Sequence, residues 1–134
     1  MSPYTSINYA LKIEKKKKEF YARNLKKLKS PKIIELFKSL LHVEEKHFQR
    51  LNELTQYFPL TQEIRIYLRA LSHKKNPFST DDILEKAISL EMDAYLLYHH
   101  LLKHSPTQIR EILDKIKREE KEHLRKLILL REGK

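Results

Sequence analysis

The chain has no cysteine, only one glycine (Gly133) and no long apolar run among its 134 residues. Each absence removes a class of protein. Without thiols there can be no disulfide, thiolate nucleophile, iron–sulfur cluster or cysteine-held zinc, so any metal must be bound by carboxylate and imidazole. Without glycine, tight β-hairpins lose their usual turn residue, and a chain rich in Leu, Lys, Glu and Ile is expected to be all-α. Nothing approaches the roughly 20 consecutive apolar residues of a membrane span. The start, Met1-Ser2-Pro3-Tyr4, lacks the basic-then-apolar layout of a secretory leader. The expected location is the cytoplasm, with no membrane partner.

Charge is plentiful but unbalanced. Lys and Arg number 28 against 18 Asp and Glu, a formal net charge of +10. Such an excess can mark a nucleic-acid surface. Here the lysines run along segments already dense in glutamate, the pattern of solvated helix faces with pairing four residues apart. Nucleic acid is therefore not the expected partner. A basic helical module without metal, its glutamates paired with lysines, stands as the competing reading.

At this length one domain is expected over residues 1–134. Residues 6–29 read as a first helix, with Ile7, Leu11, Glu14, Lys18, Tyr21, Leu25 and Leu28 as its inward stripe. Ser30-Pro31 stops it and starts a second helix to about 56, with the stripe Ile33, Phe37, Leu40, Glu44, His47, Leu51 and Leu54. Residues 57–79, broken by Pro59 and Asn76-Pro77, are long for a connection and predict a crossover with a short helix near 61–72. Ser79 or Thr80 caps a third helix to about 104, with the stripe Leu84, Ile88, Glu91, Tyr95, Tyr98 and Leu102. After Ser105-Pro106 the fourth carries Ile109, Leu113, Ile116, Glu120, His123, Leu127 and Leu130. The second and fourth stripes match at an offset of 76 residues and the first and third at 77. The expectation is an antiparallel four-helix bundle of two repeated hairpins, 6–56 and 80–130, joined by the crossover.

Each repeat carries the same polar constellation. The first has Glu14, Tyr21, Glu44 and His47, and the second has Glu91, Tyr98, Glu120 and His123. These are the only two Glu-x-x-His sequences in the chain. One ionised carboxylate on an inward stripe costs several kcal/mol unless paired, and here there are four. Four carboxylates and two divalent cations sum to neutrality, and a mixed oxygen–nitrogen set suits iron or manganese better than structural zinc. Glu14, Glu44, His47, Glu91, Glu120 and His123 are the candidate metal ligands. Tyr21 and Tyr98 are candidates to hydrogen-bond a ligand carboxylate. Glu45, Glu119 and Glu122 fall off the stripe and are expected to pair at the surface. His42, His73, His99, His100 and His104 lack the motif spacing and are expected at the surface or at helix ends.

Over about Ala10 to Leu130, these residues resemble the rubrerythrin branch of the ferritin-like superfamily: Glu14 with Phe20-Tyr21, Leu36-Phe37 ahead of Glu44-x-x-His47, Glu91 with Tyr98, and Glu120-x-x-His123. The resemblance implies a carboxylate-bridged centre of two iron ions, manganese being an alternative, that reacts with peroxide or dioxygen. It implies Glu44 and Glu120 as bridges, the other four ligands as terminal, and commonly a homodimer. Three departures stand out. The usual rubredoxin cysteines are missing, so electrons would come from a separate donor protein. Ala94 stands where rubrerythrins often have a further Glu. Lys17 and Lys18 flank the first copy where the second has Ala94 and Tyr95, so a lysine is expected to disturb Glu14 and weaken the first copy.

Overall fold

The computed structural model describes residues 3–54, 79–105 and 107–133. They form four helices: α1 (Pro3–Leu25), α2 (Pro31–Leu54), α3 (Thr80–His104) and α4 (Thr107–Arg131). There is no strand among the described residues, and no described helix is long and apolar enough to cross a membrane. Apart from Ser79, the expected crossover and its short helix lie outside the described residues.

The junctions behave as their residues dictate. Ser79 caps α3 in extended backbone, its hydroxyl accepting from the Asp82 amide at 3.1 Å, and Asp81 and Asp82 meet the positive end of the helix dipole. At the other end the Ser105 hydroxyl donates to the Leu101 carbonyl at 2.6 Å. α1 ends at Leu25 rather than near 29. The buried Asn24 side chain donates to the Phe20 carbonyl, and the Lys27 amide turns back to Asn24, so local bonds replace the helical ladder there. The lone glycine of the chain takes a φ of 78° just past α4, with its amide bonded to the Leu130 carbonyl.

α1 pairs with α2 and α3 with α4, while α1 lies beside α3 and α2 beside α4. Tyr21 meets Glu91 and Tyr98 meets Glu14, so α1 and α3 run in opposite directions. The short α1–α2 connection makes those two antiparallel as well. α2 and α3 therefore point the same way.

The apolar core falls into two clusters. One gathers Tyr9, Ile13, Leu51, Leu97, Leu101, Ile109 and Leu113. The other gathers Phe20, Phe37, Leu40, Ile83, Leu84, Leu124 and Leu127. Between these two plugs lies a belt of buried polar side chains. The α2 stripe from Ile33 to Leu51 and the α4 stripe from Ile109 to Leu127 are inward as expected, and Leu130 is half-buried. On α3, Tyr95 and Leu102 are only half-buried, and Ala94 and Leu101 take the inner places. On α1, Lys17 is fully buried and Lys18 is about one-third exposed, the reverse of the expected stripe. At about 100° per residue, the buried set Ala10, Ile13, Glu14, Tyr21 and Asn24 centres on a line that passes close to Lys17. Lys18 falls to its edge, against Glu45 and over the Phe48 ring.

Phe37 packs edge-on against Tyr21, with ring centroids 4.9 Å apart, and against Phe20 at 6.3 Å. Phe37→Ala should cost roughly 3–5 kcal/mol in a denaturant melt of the full chain. A loss below 1 kcal/mol would contradict its place in a packed core.

Candidate metal centre

Each helix contributes one carboxylate to the central belt: Glu14 from α1, Glu44 from α2, Glu91 from α3 and Glu120 from α4. All four are fully buried, and His47 and His123 nearly so. Glu and His three residues apart lie on one helix face, and that face of α2 and α4 points inward. The donors form two interlocked groups. Glu14, Glu44, His47 and Glu120 make one, and Glu44, Glu91, Glu120 and His123 make the other. In each group the ligand atoms all lie within 4.8 Å of one another, and Glu44 and Glu120 belong to both. All six candidate ligands come together.

Both histidines aim Nδ1 at the centre. His47 Nδ1 lies 3.0 Å from Glu120 and 3.6 Å from Glu14 and Glu44. His123 Nδ1 lies 3.3 Å from Glu44 and 3.6 Å from Glu91. The two rings are stacked with centroids 6.2 Å apart. Glu14 Oε2, both oxygens of Glu44, Glu91 Oε2, Glu120 Oε1 and both Nδ1 atoms are buried without a hydrogen-bond partner. Buried polar atoms are rarely left so. A convergent set of oxygen and imidazole donors with unused lone pairs fits divalent iron or manganese.

The outer contacts fix these donors. Tyr21 donates to Glu91 Oε1 at 2.6 Å, and Tyr98 donates to Glu14 Oε1 at 2.8 Å. Each tyrosine thus serves the glutamate of the other repeat. Burial and then the charge of the bonded glutamate push both phenols well above their ordinary value, so they stay protonated and can only donate. Glu119 was expected to pair at the surface, yet its Oε2 lies 2.9 Å from His47 Nε2, the ring atom facing away from the centre. It holds the orientation of that imidazole. The signal for it in the sequence is a mismatch between the copies: by the 76-residue offset, Val43 stands where the second copy has Glu119. His47 and Glu119 also line an open groove of about 690 Å³ between α2 and α4, rimmed by Lys46, Arg50, Lys115 and Arg118.

Among the other candidates, Glu45 pairs with Lys18 at 3.8 Å and Glu122 with Arg125 at 3.0 Å, both exposed as expected. His42, His99 and His100 are exposed on helix surfaces. His73 and the His104 side chain lie outside the described residues.

Lys17 enters this cluster from α1. Its ammonium is bonded to Glu120 and lies 2.9 Å from Glu44 and from Glu91, but 3.8 Å from Glu14. The expected disturbance of Glu14 therefore falls mainly on the other three. Burial works against a charged lysine, but Glu120, Glu14 and Glu91 outweigh it and raise its pKa. Burial pushes Glu14 and Glu91 up, and the Lys17 charge overcomes it, holding both below the ordinary 4.5. For Glu120, burial and the Glu91 charge win over Lys17, and its pKa lies well above that value. Burial lowers His47, but the bonds and charges of Glu120 and Glu14 bring it up to about 10.

Two outcomes follow for chelator-treated protein. Lys17→Ala strips the carboxylates of their buried cation and should cost roughly 3–5 kcal/mol in a denaturant titration; a neutral result would place the ammonium elsewhere. Stability should also peak in mildly acid solution. Glu14 and Glu91, depressed in the fold, contribute above 4.5 and lose that contribution as pH falls further. His47 contributes fully below its ordinary 6.5 and loses that contribution as pH rises towards about 10, and the raised Glu120 adds to the same decline. Melting temperature against pH checks this, and a profile still rising from pH 7 to 10 would contradict it.

Comparison with known proteins returns one family. The rubrerythrin family model matches residues 82–132, which is α3 and α4. No curated protein and no solved structure matches the chain. The matched segment carries Glu91, Glu120 and His123, and α1 and α2 hold a second copy of the same polar constellation, so over its α3–α4 hairpin the chain is similar to the rubrerythrin family.

Proposed function

We propose that this protein is a non-haem iron–carboxylate oxidoreductase acting on peroxide or dioxygen, or oxidising ferrous iron. One observation carries the proposal. Two buried donor groups, each with one histidine, share Glu44 and Glu120, which is the ligand plan of paired-metal helical bundles. Glu14 and His47 would serve one iron, Glu91 and His123 the other, with Glu44 and Glu120 between them. Manganese would fit the same donors. Iron bound there supplies a Lewis acid and two electrons for reduction of an O–O bond.

The chain's own residues do the rest. Tyr21 and Tyr98 restrain Glu91 and Glu14, so each carboxylate keeps one oxygen for the centre. Glu119 orients His47. The two apolar plugs keep bulk water from the belt along the bundle axis, and the groove beside His47 and Glu119 is the side from which a small reactant reaches it. With no cysteine in the chain, re-reduction falls to a separate electron-donor protein. A second copy of the chain is the proposed cover for Met92 and Leu96, the two large apolar side chains exposed on α3. The cytoplasm is the proposed location.

A metal-free bundle is the second reading, and Lys17 favours it, since a buried ammonium already partners the carboxylates. Seven donor atoms of the cluster nevertheless lack a hydrogen bond, and only two of them, Glu44 Oε1 and Glu91 Oε2, lie within 2.9 Å of the ammonium.

Metal analysis separates the two. Protein reconstituted with ferrous iron without air, in excess, should hold about two irons per chain, and peroxide should oxidise them, read by absorbance. Glu44→Ala and Glu120→Ala each remove a donor shared by both groups and should lose most of the metal. Full metal content in both variants, or none in the wild type, would sink the assignment.

A further inference from the structure

The two metal places are unequal. Lys17 Nζ makes its close approaches to Glu120, Glu44 and Glu91 and stays 3.8 Å from Glu14. Those three carboxylates belong to the group completed by His123. The lysine thus stands among the donors of the α3 side, not among those of its own repeat. The first group keeps Glu14, which is held by Tyr98, and His47, which is held by Glu119. An oriented imidazole with a carboxylate behind it is a stronger ligand than a bare one. Both differences break the duplication in the same direction, and both arise at positions where the copies differ: Lys17 against Ala94, and Glu119 against Val43.

We infer that Lys17 is a built-in cation holding the place of the second metal, so that the centre fills in order. The first ion enters at Glu14, Glu44, His47 and Glu120, and the second enters at Glu91 and His123 only as the ammonium withdraws. The charges point the same way. Two divalent ions neutralise four carboxylates, and a lysine remaining among them would add an excess positive charge in a buried site. One divalent ion beside the ammonium leaves a single negative charge where the ion alone would leave two, and two ions reach neutrality only with the ammonium gone. No helix has to move, because lysine carries its charge on a flexible four-carbon stem. Lys17 also keeps the α3-side carboxylates partnered when metal is scarce, so the bundle has a folded resting form that holds one ion.

This inference rests on the proposed metal site, and the test separates the two. Full-length wild type and Lys17→Ala, both chelator-treated, are titrated with cobalt(II) under argon and followed by calorimetry and visible absorbance. The wild type should bind two ions in steps separated by about tenfold or more in affinity. Lys17→Ala should tighten the second step by at least that factor and leave the first nearly unchanged. A wild type that stops at one ion while Lys17→Ala takes two is the same result at its limit. If Lys17→Ala does not fold without metal, single-ligand variants of the wild type decide: Glu14→Gln should abolish the tight step and Glu91→Gln should spare it. Two equal steps in both proteins, or a tight step lost in Glu91→Gln and kept in Glu14→Gln, would overturn the inference and leave the metal site standing. A wild type that takes no cobalt while Lys17→Ala takes two would also overturn it, since Lys17 would then close both places. Absence of binding in every protein would overturn the metal site itself.

Discussion

Four carboxylates buried at one level of a helical bundle repel one another with little water to screen them, and everything near them answers that repulsion. Lys17 places an ammonium among them, His47 and His123 turn a nitrogen inward, and Tyr21 and Tyr98 each hold one oxygen. The apolar plugs on either side make the problem sharper, because an unpaired charge costs more as its surroundings dry. They also make the answer specific. A donor that cannot reach solvent has to be satisfied by a neighbour, by a proton or by a cation; seven such atoms here lack a hydrogen bond, and the Lys17 ammonium reaches two of them.

Much of this was legible in the chain. On α2 and α4 the apolar and polar members of the stripe fall in one line, so spacing alone places Glu44, His47, Glu120 and His123 inside. On α1 it does not. Residues three and four beyond Glu14 both lie near its face, and only the angular centre of the whole buried set picks Lys17 over Lys18. The same ambiguity misplaces Tyr95 and hides Ala94. Spacing also says which way Tyr21 and Tyr98 face but not whom they meet; that they serve the opposite repeat follows from the antiparallel packing of α1 on α3. Glu119 was hidden for a different reason. It sits at the edge of the buried face of α4, where a carboxylate normally meets solvent, and its role exists only because α2 brings the back of the His47 ring to it.

The family match has the same asymmetry as the site. It covers the hairpin of α3 and α4, in which Ala94 stands at the lysine position and no side chain crowds the ligand Glu91 from its own helix. The unmatched hairpin carries the lysine. Both ligand sets are nonetheless complete.

The crossed tyrosines have a historical consequence. Because Tyr21 serves Glu91 and Tyr98 serves Glu14, neither hairpin contains a finished half of the centre. A single ancestral hairpin could have built this arrangement only by pairing with its twin about a twofold axis, each lending its phenol to the other. Such a twin pair is bound by its symmetry to carry a lysine on both sides or on neither, and a Glu119 on both or on neither. Two hairpins in one chain are free of that bond. Lys17 without a counterpart lysine, and Glu119 opposite Val43, are one-sided differences that a single chain can carry and a symmetric pair cannot.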